Sequence, residues 1–99
     1  MTKSDQLQFD ELILSKTRLG IISALISGDS LEFTYLRDLL ELSDGNLSVQ
    51  IRKLEEANYI KVEKVFVDRK PKTFCKITRK GQKAVKNLIG KLESLMNPD

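Results

Sequence analysis

The 99-residue chain is long enough for one domain with a modest hydrophobic core. Its 40% hydrophobic and 31% charged residues are typical of a globular protein and exclude a disordered one. The chain has no His and a single Cys, which excludes an internal disulfide, a His or Cys metal cage and a catalytic unit built on a His base. We therefore expect no enzyme, no metal and no cofactor.

No segment has the pattern of a targeting or membrane-spanning sequence. Residues 1–8 are polar and lack the apolar core of a signal peptide. The longest apolar stretch, Leu19–Ile26, falls far short of the roughly 20 residues that span a bilayer. We expect a cytoplasmic protein.

Positive charge is concentrated in the second half of the chain. The net charge is −3 over residues 1–42, +5 over 43–80 and +1 over 81–99. Residues 69–92 contain nine basic side chains and no acidic one. A segment of one sign attracts phosphate, but a solvated lysine face that binds nothing has the same composition. The place of these charges in the fold decides between the two.

Helical periodicity predicts a first helix over residues 9–27. Apolar side chains recur there at steps of three and four, apart from one polar turn at Ser15–Arg18. Gly28 follows as a left-handed cap. Leu31–Phe33 alternates and predicts a very short strand.

Thr34 is a candidate N-cap for a second helix over 34–42. The turn Ser43–Gly45 has the chemistry of a helix cap and precedes a third helix over 44–57. The inward stripe of this third helix is formed by Leu47, Ile51 and Leu54. Asn58 suits the left-handed position that ends a helix.

The period then changes and predicts a hairpin over 59–77. The first strand is predicted from Ile60, Val62 and the β-branched run Val65–Val67, and Thr73–Ile77 is the returning strand. Residues 68–72 are predicted as the turn because Pro71 cannot continue a ladder. Thr78 opens a last helix over 78–96, whose apolar residues have the 3-4-3 spacing of a helix–helix seam; these are Val85, Leu88, Leu92 and Leu95.

The predicted order is α-β-α-α-β-β-α, a mostly helical α+β fold with long first and last helices. Two helices joined by a short Gly-containing turn match a helix-turn-helix motif, and a basic hairpin after them is a wing. Five segments agree in order and spacing with one family: Thr17–Ile22, Phe33–Leu40, Ser43–Ser48, Leu54–Ala57 and Ile77–Gly81. In these the chain resembles the small one-domain winged-helix transcriptional regulators of prokaryotes related to MarR and ArsR. The family usually has Gly at the position of Asn58, and both residues suit that backbone geometry.

The resemblance implies a single DNA-binding domain over residues 1–99 that dimerises and represses transcription. The second helix of a helix-turn-helix lies in the major groove. On a helical wheel the side opposite the inward stripe holds Gly45, Val49, Arg52, Lys53 and Glu56, with Asn46 at its edge, and Ser48 and Gln50 flank it; Glu56 is interpreted as plain surface. Asn pairs with adenine, Arg or Lys pairs with guanine, and Val contacts a thymine methyl. A plain solvent face is the alternative.

The wing turn carries Arg69, Lys70 and Lys72, which suit phosphate contacts or a minor-groove arm. The alternative is an edge that Lys and Pro protect from strand pairing. Cys75 is interpreted as a small buried hydrophobe, and most of the aromatic side chains as core.

The first and last helices have more apolar positions than one core covers. This surplus predicts a homodimer through helix 1 and the C-terminal helix, with recognition helices on half-sites about one DNA turn apart. The alternative is that these residues complete the monomer's core. We expect a sequence-specific double-stranded DNA-binding transcriptional regulator, most simply a homodimeric repressor. A winged-helix protein-interaction module without sequence-specific DNA binding is the competing hypothesis, and it predicts a wing without basic charge.

Overall fold

A computed structural model describes residues 9–97 of the chain. Within them the order is α1 (Lys16–Leu25), β1 (Leu31–Glu32), α2 (Phe33–Leu39), α3 (Asp44–Glu56), β2 (Ile60–Val67), β3 (Lys70–Ile77) and α4 (Arg79–Met96). The predicted order and the mostly helical winged-helix class are confirmed. The ends of the predicted 1–99 domain, residues 1–8 and 98–99, lie outside the described residues.

The first helix is shorter than predicted, because it begins at Lys16 and not at residue 9. Ser15 Oγ accepts a hydrogen bond from the Arg18 amide at 3.3 Å and caps the helix. Residues 11–14 form turns, which Asp10 stabilises by accepting from the Leu12 amide at 3.0 Å. The polar turn Ser15–Arg18 is therefore where the helix begins, and the prediction of a long first helix was wrong for the described residues. The left-handed Gly28 is confirmed, with φ of 91°.

The second helix also differs at both ends. It begins at Phe33, and Glu32 occupies the N-cap position, where its side chain accepts no hydrogen bond from the first turn of the helix. The prediction of Thr34 as the N-cap was therefore wrong. It ends at Leu39 rather than at 42, because Glu41 adopts a φ of 54°. The Leu42 amide then donates to the Arg37 carbonyl at 2.9 Å, which closes a Schellman motif.

The third helix, α3, has the caps that the sequence predicts. Ser43 Oγ accepts from the Asn46 amide at 3.1 Å at the N-terminus. At the C-terminus Asn58 adopts a φ of 62°, and the Tyr59 amide donates to the Leu54 carbonyl at 2.9 Å. Both local predictions are confirmed, and they fix where the helix begins and ends.

The strands form one antiparallel sheet in the order β1-β3-β2. Asp68 and Arg69, with φ of 52° and 66°, are the two turn residues between Val67 and Lys70, as a type I′ turn requires. The predicted five-residue turn was wrong, because β3 begins at Lys70 and includes Pro71.

Pro71 is tolerated in β3 because of its register. Val67 and Lys70 flank a two-residue turn and form a hydrogen-bonded pair, so Phe66 and Pro71 form the next, non-bonded pair. The nitrogen of Pro71 then faces the side of β3 that β1 would occupy. Because β1 pairs only with Phe74 and Cys75, no ladder bond is lost.

The core lies between the helices and the sheet. Its buried members are Ile21, Ile22, Leu25, Leu36, Leu47, Ile51, Leu54, Ile60, Cys75 and Ile77. The inward stripe of α3 belongs to this cluster as predicted, so packing fixes the rotation of α3 about its axis.

The last helix, α4, starts on the core and then leaves it. Thr78 Oγ1 caps it by accepting from the Gly81 amide at 3.0 Å. The molecule measures 56 × 24 × 21 Å, and the 18 residues of α4 contribute about 27 Å of helix. Among the described residues, no helix is sufficiently long and apolar for a membrane crossing.

Candidate nucleic-acid interface

The exposed face of α3 is the first part of the candidate site. With Leu47, Ile51 and Leu54 packed inward, the opposite face carries the side chains predicted to read bases; these are Asn46, Val49, Arg52 and Lys53, and all four are exposed. Val49 is an apolar side chain that remains 44% exposed in the middle of this face. An isolated exposed Val is ordinary, but here it lies between hydrogen-bonding side chains. The face combines the groups that distinguish base edges in a major groove.

The two flanking residues, Ser48 and Gln50, are half-buried. Gln50 Nε2 donates to Asn46 Oδ1 at 3.2 Å, one helical turn away. Gln50 Oε1 accepts from Arg18 Nη1 at 2.6 Å. The amide of Gln50 is thus already engaged within the protein, whereas Asn46 retains its amide donor.

Arg18 is a residue that the sequence reasoning did not assign to the site. Its Nε also donates to the Leu12 carbonyl at 2.6 Å, so one guanidinium joins the N-terminal turn to α3. The polar turn at Ser15–Arg18 was the available signal. It marked an unusual place in α1, but its partner lies 32 residues further along the chain.

The turn between α2 and α3 is held by an ion-pair network. Arg37 on α2 donates to Asp38 at 3.0 Å and to Asp44, in the first turn of α3, at 2.9 Å. These hydrogen bonds, that to Asp38 first, raise the pKa of Arg37. The network bridges both helices of the motif, and Asp44 also lies where a helix N-terminus favours an acid.

The wing presents its cations at different places. Arg69 lies in the turn itself, and Lys70 opens β3; both are exposed. Lys72 is two residues further along β3 and half-buried, with its Nζ 3.9 Å from Glu32 Oε1 on β1. The prediction of three cations at the tip was therefore wrong for Lys72. The turn contains two residues, so residues 70–72 belong to β3.

A groove of about 360 Å³ separates α3 from the wing. Ser48 and Arg52 line it from α3, and Lys64 and Thr73 line it from the hairpin. Lys64 and Thr73 are paired across the two strands, so both project from the sheet face that meets α3. Glu55 of α3 also lines the groove, so α3 and the wing face each other across a groove that carries charges of both signs.

Aromatic side chains contribute less to the core than predicted. None of those within residues 9–97 is fully buried, and Tyr35 and Phe66 are exposed. Phe66 is 78% exposed and lies close to the wing turn. Tyr59 donates to Asp10, and burial followed by that bond raises the pKa of Tyr59 to about 12.

Cys75 is fully buried in the middle of the sheet, as predicted. Burial, with a smaller contribution from Glu55, raises the pKa of its thiol to about 11. A thiol that is protonated and enclosed at neutral pH is a poor nucleophile, so it packs as a small hydrophobe.

Known proteins share this fold and parts of this sequence. The chain is 40% identical over 75 residues to the uncharacterized protein MJ0432 of Methanocaldococcus jannaschii, covering 76% of this chain and 82% of that protein. The transcriptional regulator homologue from Pyrococcus horikoshii OT3 superposes with a TM-score of 0.83 at 28% identity, over 96% of this chain and 93% of that one. The crystal structure of MarR superposes with a TM-score of 0.71 at 18% identity, over 87% of this chain and 64% of MarR, which shows a common fold.

The model of one family, described as the winged helix DNA-binding domain, matches residues 17–96. That range runs from α1 to the end of α4 and includes α3 and the wing. The predicted winged-helix resemblance is confirmed by this match, and the chain shares its fold with transcriptional regulator structures, MarR among them. The chain belongs to the winged helix DNA-binding domain family.

Proposed function

We propose that this protein is a homodimeric cytoplasmic repressor that binds a specific double-stranded DNA operator and occludes a promoter. The observation that carries the proposal is the exposed face of α3 beside a basic wing. In the complex α3 enters the major groove, where Arg52 and Lys53 donate to guanine and Asn46 hydrogen-bonds adenine. Val49 contacts a thymine methyl, and Ser48 and Gln50 lie at the edge of the contact.

The wing supplies contacts to the flanking backbone or minor groove. Arg69 and Lys70 are exposed and have the charge for phosphate. Lys72 joins them by exchanging its distant partner Glu32 for a phosphate, since an ion pair of 3.9 Å at a partly exposed site is weak. The same basic wing disfavours the protein-interaction alternative, which needs no positive charge there.

Dimerisation is supported by apolar surface that the monomer leaves uncovered. One side of α4 exposes Ile89, Leu92, Leu95 and Met96; Leu19 on α1 and Ile26, directly after that helix, are exposed as well. The monomer's core, in contrast, buries Ile21, Ile22 and Leu25 of α1, so these side chains are not available to a partner. A two-fold axis that pairs the exposed stripes covers both copies at once.

We expect Leu92→Glu combined with Leu95→Glu to convert the dimer to a monomer. Both side chains are 47% exposed in the monomer, so the charges cost little there but would be buried between two copies. Light scattering at tens of micromolar measures the mass. Asn87→Glu with Ser94→Glu adds the same charge to the opposite side of α4 and should leave a dimer. A monomeric wild type would contradict the assembly.

The function itself is tested by fluorescence anisotropy with a randomised duplex across a salt series, followed by sequencing of the bound fraction. We expect affinity to fall steeply with salt, because bound phosphates release counterions. The enriched sequence should be an inverted repeat with half-site centres about 10 base pairs apart. Absence of binding at low salt would overturn the proposal in favour of the protein-interaction module.

A further inference from the structure

A chain of hydrogen bonds runs from the N-terminal turn to the exposed face of α3. The Leu12 carbonyl accepts from Arg18 Nε at 2.6 Å, and Gln50 Oε1 accepts from Arg18 Nη1 at 2.6 Å. Gln50 Nε2 then donates to Asn46 Oδ1 at 3.2 Å. Arg18 makes no ion pair with a carboxylate among residues 9–97, so its guanidinium is used on neutral acceptors.

The guanidinium of Arg18 determines the orientation of the Gln50 side-chain amide. A side-chain amide has a donor end and an acceptor end of nearly the same shape, and only its partners distinguish them. A guanidinium has donors only, so Gln50 must direct its oxygen at Arg18. The NH₂ group of Gln50 is thereby directed towards Asn46, which must receive it with Oδ1. The free donor that Asn46 presents to solvent is a consequence of Arg18.

The opposite orientation would reverse the pattern that a base meets. If Gln50 were turned over, its oxygen would face the Asn46 NH₂ group, and Asn46 would present its oxygen outward instead. A donor and an acceptor at one position of the major groove select different base edges. Arg18 itself is half-buried behind Gln50, whereas Asn46 is exposed.

We propose that Arg18 is a positioning residue that acts through Gln50 and sets the base preference at the position read by Asn46. This proposal rests on the proposed DNA-binding function. It assigns the choice of one base pair in each half-site to a side chain outside α3. The same bond to Leu12 makes that choice depend on the N-terminal turn being in place.

The test compares three variants in the selection from a randomised duplex. Arg18→Gln keeps a polar partner for Leu12 and Gln50. The new side-chain amide can present either its donor or its acceptor to Gln50, so the orientation of Gln50 is no longer fixed. Arg18→Lys keeps a donor-only cation and should preserve the preference. Lys16→Gln removes the same charge from an exposed position on α1 and controls for electrostatics.

We expect Arg18→Gln to lower discrimination at one position of each half-site by about tenfold, the usual weight of one base pair, and to leave the other positions unchanged. Its affinity for non-specific DNA should match that of Lys16→Gln. An unchanged preference in Arg18→Gln, or a lost preference in folded Arg18→Lys, overturns the positioning role while DNA binding stands. If the wild type enriches no sequence, the proposed function falls and this inference falls with it. Circular dichroism verifies folding, and if Arg18→Gln does not fold, Arg18→Met replaces it, because it also removes the donors that orient Gln50; an unchanged preference in Arg18→Met overturns the positioning role.

Discussion

Replacing Arg52 and Lys53 together by Ala should abolish sequence-specific DNA binding while leaving the fold intact. Both side chains are exposed on α3 and are absent from the buried core, so their loss costs no packing. Each contact of a cation with a guanine edge contributes about 1–3 kcal/mol of discrimination. The pair therefore accounts for at least about thirtyfold in affinity for the operator in each half-site. Anisotropy titrations against the selected operator and a scrambled duplex measure the change.

The wing provides the contrast that separates base reading from phosphate binding. Arg69→Ala with Lys70→Ala should weaken binding to operator and scrambled DNA alike and reduce the salt slope by about two per half-site. Lys83→Ala with Lys86→Ala removes the same charge from exposed positions on α4 and should leave operator preference unchanged. Operator affinity that survives loss of both Arg52 and Lys53 would remove α3 from the reading role.

Gly81→Ala should destabilise the protein, and Gly90→Ala in the same helix should stabilise it. A Cβ at residue 81 would overlap the Tyr59 carbonyl oxygen and lie 2.8 Å from Ile77 Cγ1, so the first turn of α4 would have to move off the hairpin. We expect a loss of about 3 kcal/mol, the upper end of the cost of overpacking. A Cβ at residue 90 meets nothing within 4 Å, and Ala gains about 0.5–1 kcal/mol over Gly in a helix.

Thermal unfolding at equal protein concentration separates the two cases. One kcal/mol shifts the Tm of a domain of this size by about 4–8 °C, so the variants should differ by well over ten degrees, roughly. Equal protein concentration matters because association adds to apparent stability. A Gly81→Ala protein as stable as the wild type would mean that α4 is not pressed against Tyr59.

The features that the sequence predicted correctly are those that depend on near neighbours. The caps at Ser43 and Thr78 need only an amide three residues away, and both are present. The inward stripe of α3 follows from helical spacing alone, and it fixes the opposite face as the exposed one. The sequence alone was therefore sufficient to predict which side chains of α3 are exposed on the candidate face.

The features that the sequence did not predict depend on distant partners. Gln50 was assigned as a flanking contact, but its bond to Arg18 spans 32 residues and leaves no periodic signal. Pro71 lies in a strand because β1 is too short to need its missing N–H, and β1 is some 40 residues away in the chain. Phe66 is exposed because no residue of 9–97 covers the far part of the hairpin, which a β-branched, aromatic run does not reveal.

The base of the hairpin is clamped, while its tip is not. Thr78 Oγ1 donates to the Asn58 carbonyl at 2.6 Å, and the Thr78 amide donates to the Tyr59 carbonyl at 3.0 Å, so both strand ends are tied together where the core begins. From Thr73 to the turn, β2 is the one strand of the described residues that pairs with β3. We therefore expect the amplitude of motion of the wing to increase from its tied base towards Asp68 and Arg69. In the proposed complex with DNA, ordering the wing would cost conformational entropy for those few terminal residues alone, a small loss against the phosphate contacts that they would gain.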